Sequence, residues 1–138
     1  MEKHTYRSFF GIVFLTAVLF ISGCDKRITQ DPGYLEGVIS IGPICPVERV
    51  PPDPACLPTA ETYKAYSVSV FSSDGRRKIL QLNPSLDGSF ITELAPGNYL
   101  VVLDKAQNYI GGSNLPVEVS ISTQDKTLLN INIDTGIR

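Results

Sequence analysis

Apolar and polar side chains alternate in short runs through residues 34–134, and a two-residue period predicts β-strands. The first run, 34–41, places Leu35, Ile39 and Ile41 on one face, with Gly37 interrupting the apolar row. A strand opening at Ala65 sets Tyr66, Val68 and Val70 against Ser67 and Ser69. Ser72-Ser73-Asp74-Gly75 turns the chain into 77–82, where Ile79 and Gln81 share a face. A second turn, NPSLDG at 83–88, precedes 89–94, with Phe90 and Thr92 opposite Ile91 and Glu93. Pro96-Gly97 leads into 99–104, apolar on both faces and so expected to be a central strand. After an irregular stretch at 105–115, Pro116 opens a strand with Val117, Val119 and Ile121 on one side. The last run, 127–134, turns Leu129, Ile131 and Ile133 inward and Asn130 and Asn132 outward. Seven short strands separated by tight turns predict an all-β fold, a seven-stranded antiparallel Greek-key β-sandwich.

The pattern fails between residues 42 and 60, where six of the ten prolines fall. Proline fixes φ and removes a backbone donor, so this stretch is neither a central strand nor a helix. It is expected to be an ordered surface excursion of polyproline character, bracketed by Cys45 and Cys56.

The pattern also changes at the amino terminus. Lys3, His4 and Arg7 precede an apolar run at 9–21, broken by Gly11 and Thr16. That run is shorter than the about 20 residues a transmembrane helix needs, and it suits the apolar region of a secretory signal. Ile21-Ser22-Gly23-Cys24, an aliphatic residue, two small ones and a cysteine, resembles a bacterial lipobox. The resemblance implies a signal peptide at 1–23, lipid on Cys24, and a tether at 24–33. The β-sandwich domain then spans 34–138. The expected location is the cell membrane, lipid-anchored and facing the periplasm or cell exterior. Asp25 resembles an inner-membrane retention signal of enteric bacteria. An uncleaved anchor, or ordinary cleavage leaving Cys24 free, is the alternative. In an exported chain disulfides persist, and with Cys24 acylated, Cys45 and Cys56 are left as a pair. A metal site or a redox pair is the weaker reading, because no His lies nearby and the spacing is not C-x-x-C.

Composition narrows the chemistry. Without residues 1–23 the chain holds 10 basic and 13 acidic residues, a net charge of −3, and no basic patch, so nucleic acid is not an expected partner. There is no Trp, and the single histidine, His4, lies in the signal segment, which removes the commonest acid–base side chain. No cofactor or metal is expected, and the chain is not expected to be an enzyme.

Asp87-Gly88-Ser89-Phe90 followed by Leu94-Ala95-Pro96-Gly97-Asn98-Tyr99 resembles the D-x-x-G-x-F…L-x-P-G-x-Y pattern of carboxypeptidase-regulatory-like and transthyretin-like sandwich domains. The opening Gly42-Pro43-Ile44-Cys45-Pro46-Val47 and the ending Asp134-Thr135-Gly136-Ile137-Arg138 look like one bacterial branch of these domains. The resemblance covers about residues 34–134 and implies a fold rather than an activity. Tyr99, just past the Pro-Gly corner, is expected to bond its hydroxyl to nearby backbone.

Four constellations invite a chemical reading. Asp134-Thr135-Gly136 matches the core of an aspartic protease site, but that chemistry needs two such carboxylates sharing a proton; a polar tail on the last strand is preferred. Glu93 with Asn130 or Asn132 offers the acid and acceptor of a Lys–Asn cross-link, without a lysine in the first strand. Arg76-Arg77-Lys78 is read as a solvated turn, with anionic headgroups as the alternative. Tyr63, Tyr66 and Tyr109 offer a sugar-stacking platform. The expected function is a membrane-anchored, non-catalytic protein-binding or structural module at the exported face. It would contact membrane lipid through acylated Cys24 and an envelope protein through the 42–60 loop, with 105–115 a second candidate. A carbohydrate or cell-wall polymer binding module is the alternative.

Overall fold

The computed structural model describes residues 30–47, 49–104 and 110–138. The lipobox, Cys24 and Tyr109 lie outside the described residues. Two β-sheets pack through one shared core, giving an all-β sandwich. Nine strands occur among the described residues: β1 (Gly33–Gly42), β2 (Val68–Ser72), β3 (Lys78–Gln81), β4 (Ser89–Leu94), β5 (Gly97–Leu103), β6 (Gly112–Ser113), β7 (Val117–Ile121), β8 (Lys126–Leu128) and β9 (Ile131–Asp134). One short helix, α1 (Ala60–Ala65), joins them.

The longest strand, β1, organises the first sheet. It pairs antiparallel with β4 on one side and parallel with β8 and then β9 on the other, while β6 closes the far edge against β9. Odd-numbered residues of β1 bond towards β4, as where the Ile39 N–H donates to the Gly88 carbonyl at 2.8 Å. Even-numbered residues bond the other way: Tyr34 N–H donates to Asp125, and Glu36 accepts from Leu129 N–H, both at 2.8 Å. The sandwich is therefore not wholly antiparallel. Alternation in sequence assigns faces to a strand, but it carries no information about which strands become neighbours.

The expected last strand is divided in two. Glu36 faces Leu128 and Ile39 faces Ile131, so the register continues across the break between β8 and β9. At the break a Cβ on Gly37 would lie 1.9 Å from the Leu129 carbonyl oxygen, and the Val38 N–H takes the Asn130 side chain at 3.3 Å. Glycine is what lets the backbones approach here.

The second sheet is antiparallel throughout, in the order β3-β2-β5-β7. Its inner face supplies Val68, Val70, Val101 and Ile121 to the core; the first sheet supplies Leu35, Ile39, Ile41, Phe90, Ile131 and Ile133. Burying each such side chain contributes about 1.5–3 kcal/mol before entropy is counted. As expected, β5 is interior. Around β3 the inward residues are Leu80 and Leu82, because Leu80 pairs with the inward Val70; Ile79 is exposed and left unpaired where the register shifts to Phe71 and Lys78. The strand expected from Ala65 begins at Val68, since residues 60–65 form α1 instead.

Candidate binding loop

The proline-rich excursion leaves β1 at Gly42 and returns through α1. The Cys45–Cys56 disulfide closes it, with 5.4 Å between the Cα atoms. The loop is built from local bonds rather than burial. Asp53 accepts from the Ala55 N–H at 2.9 Å and starts a 3-10 turn over Pro54–Cys56. Thr59 caps α1 reciprocally with Thr62: the Thr62 N–H donates to Thr59 Oγ1 at 3.3 Å, and the Thr59 N–H to Thr62 Oγ1 at 3.0 Å. Ile44 is the loop side chain that leans on the core.

The outer surface of this loop is apolar. Val50 is 100% exposed, Val47 68% and Leu57 49%. A recess of about 270 Å³ in the same loop is walled by Ile41, Ile44, Leu57 and Pro58, with Arg49 and Asp53 also lining it. Such a recess accepts an apolar side chain, and its two opposite charges offer orienting contacts.

The tail seats the loop's first residues, which sequence reasoning missed. Thr135 is buried; its N–H donates to the Gly42 carbonyl at 3.1 Å and its hydroxyl donates to the Pro43 carbonyl. Asp134 accepts from Arg138 at 2.7 and 3.1 Å and from the Gly136 N–H at 2.8 Å. The Arg138 guanidinium holds the Asp134 carboxyl down to about 2. The protease-like triplet is thus a clasp on the loop base. The signal available in sequence was a Thr-Gly pair following an inward isoleucine.

The other constellations disperse. Glu93 is exposed on β4, whereas the Asn130 side chain accepts from the Val38 N–H, the Asn132 N–H donates to Asn114 Oδ1, and the Asn132 carbonyl accepts from the Asn114 N–H. In the basic triplet, Arg76 lies 3.9 Å from Asp74 and Lys78 lies 3.3 Å from Asp104. Asp104 also accepts from Ser69 at 2.6 Å and Ser67 at 3.1 Å. Burial pushes the Asp104 carboxyl up, but bonds from Ser69, Lys78 and Ser67 outweigh it, leaving it below the ordinary range. Tyr63 and Tyr66 both pack against the core rather than forming an open platform. Burial, then the nearby Asp87 carboxylate, raises the Tyr63 hydroxyl. Tyr99 donates to the Ala95 carbonyl at 2.7 Å, the corner bond expected of it.

No protein-family model matches the chain, and no curated protein sequence matches it. Among solved structures it is similar to the minor pilin of Streptococcus agalactiae, at 14% identity and a TM-score of 0.52, over 78% of this chain and 46% of that one. It is also similar to the TIE protein of Bacillus anthracis, at 14% identity and a TM-score of 0.46, over 76% of this chain and 17% of that one. A DUF3823 family protein from Parabacteroides merdae matches at 14% identity and a TM-score of 0.45, over 75% and 46%. The chain spans less than half the length of each of these solved chains. The likeness to the pilin is one of fold.

Proposed function

We propose that this chain is a non-catalytic binding module, tethered to the exported face of a membrane by lipid on Cys24, that docks a protein partner on the 43–58 loop. The observation that carries the reading is the loop surface. Val47, Val50 and Leu57 are exposed on the loop, and Leu57 also walls a recess with Ile41, Ile44 and Pro58, on a segment held in shape by prolines, a disulfide and the Thr135 clasp. A rigid loop loses little conformational entropy on docking, which favours affinity. Apolar groups at a binding surface contribute once a partner excludes water from them.

The test uses the full chain extracted from membranes. Partner recovery is compared between the wild type and a Val50→Asp, Leu57→Asp double variant. Recovery falling at least tenfold, with the thermal transition unchanged, supports the loop; equal recovery defeats it. Intact mass of the extracted protein separately reports on Cys24. A mass showing cleavage before Cys24 with added acyl chains supports the tether, and an unmodified Met1 form removes it.

A further inference from the structure

We infer that β4 is a self-pairing edge, through which two copies of this chain join antiparallel about Thr92 into one continuous sheet. The inference goes beyond the loop's role and uses a different surface.

Sheet edges expose unpaired backbone groups, and folded proteins ordinarily blunt them with charge, proline, bulges or brevity. Among the described residues there are five strand edges, and four are blunted, β8 by its three-residue length and its opening Lys126. The β3 edge carries Lys78 and is itself irregular, with Ile79 left unpaired between Leu80 and Lys78. The β7 edge starts after Pro116, and the Ser120 carbonyl accepts the Thr127 hydroxyl at 3.0 Å. The β6 edge is two residues long. By contrast β4 has six residues, with neither proline nor lysine, and its register with β1 is unbroken.

The polarity of the open groups follows from the ladder. Residues directly opposite in an antiparallel pair alternate between hydrogen-bonded and non-hydrogen-bonded positions. Ile39 bonds Gly88, so Phe90, Thr92 and Leu94 bond β1, while Ser89, Ile91 and Glu93 aim their backbone groups outward. Ser89 is already closed: its N–H donates to Asp87 at 3.0 Å and its carbonyl accepts from Ser85 at 2.8 Å. At the other end the Ala95 carbonyl is closed by Tyr99 at 2.7 Å. Ser89 and Ala95 lie equally far from Thr92 in the chain, so the open window, Ile91 and Glu93, is symmetric about it.

A second copy fits that window. Turned about a two-fold axis through Thr92, Ile91 of each chain faces Glu93 of the other, and both pairs exchange N–H and carbonyl bonds. The register keeps the two Glu93 side chains from lying directly opposite each other. It places the two Thr92 side chains together, a favourable cross-strand pair. Ile91 is 62% exposed and Leu86, in the preceding turn, 72%, so apolar surface lies beside the same edge. Closed two-fold pairing of one patch with itself is the commonest oligomer symmetry.

The experiment places Thr92→Cys in the full-length chain and oxidises it in membranes. Non-hydrogen-bonded antiparallel partners approach to about 4.5 Å between Cα atoms. The register therefore predicts a covalent dimer on a non-reducing gel, which is abolished by adding Ile91→Pro. That proline removes an outward N–H and leaves the β1 ladder untouched. Sedimentation of the detergent-extracted wild type should show a dimer, and Ile91→Lys should shift it to monomer with an unchanged thermal transition. A monomeric wild type at tens of micromolar, as expected if the edge captures a different protein's strand, overturns the proposal. So does a Thr92→Cys dimer that survives Ile91→Pro.

Discussion

The sandwich body and the 43–58 loop are held together in different ways. In the body, order comes from burial: Leu35, Val70, Val101 and Ile131 are fully enclosed by side chains from both sheets. Among the described residues of the loop no side chain is buried, and order comes from a disulfide, a 3-10 cap, a helix capping box and the Thr135 clasp. Burial is cooperative and cannot be removed locally. The loop's restraints are few and separable, so the loop can be loosened while the body stays folded. That separation lets an apolar surface be displayed without being drawn into the core.

The largest effect should come from breaking the body. Ile131→Ala deletes a fully enclosed side chain facing Ile39 and should cost about 2–5 kcal/mol in urea unfolding. Loss of the loop surface should follow, because β9 leads directly into the Thr135 clasp.

Cys45→Ser with Cys56→Ser tests the other half. The cysteines are 11 residues apart, and the chain-entropy account gives about 3 kcal/mol for a loop of that size. The tyrosine near-ultraviolet signal of the folded body should survive at room temperature, while protease cleavage within 43–58 rises sharply. Collapse of both signals together would show that the two regions are not separable.

Smaller effects sharpen the boundary. Tyr99→Phe removes the corner bond to Ala95 and should cost about 1 kcal/mol. Thr59→Ala removes the α1 cap, also costing about 1 kcal/mol, but it should register mainly as faster amide exchange in residues 60–65.

The smallest effect is one of pH. Asp134 is depressed to about 2 by Arg138, against an ordinary 3.8. A lowered carboxylate stabilises the folded state above its unfolded pKa, and that contribution fades as pH falls through its folded pKa. The clasp should therefore be intact above about pH 4 and weaken towards pH 2, read from the Asp134 carboxyl resonance. Arg138→Ala should move that midpoint upward. An unmoved midpoint would remove Arg138 as the cause.

Much of the body was legible because period-two burial is local. Val68, Val70, Phe90, Ile121, Ile131 and Ile133 all face inward as their alternation requires. Where the reading slipped, the missing fact was non-local. The strand expected from Ala65 yields to α1, whose capping box is visible only once Thr59 and Thr62 are paired. The inward face around β3 is set by its register with β2, where Leu80 pairs with the buried Val70, and that pairing is not visible in its own residues. The proline excursion and its cysteine pair were legible, but the Asp134–Thr135 clasp beneath them was not, since it joins residues some ninety positions apart.

The sequence by itself determined the class of fold, the faces of most strands and the place where regular structure stops, because alternation and proline act over a few residues. Tertiary structure alone decided that β1 runs parallel to β8 and β9, that Gly37 must admit the Leu129 carbonyl, and that β4 lies at a sheet edge. Those outcomes depend on which backbone groups meet across the sheet. Pairing energy between distant strands is settled by the whole assembly rather than by any segment's own preference.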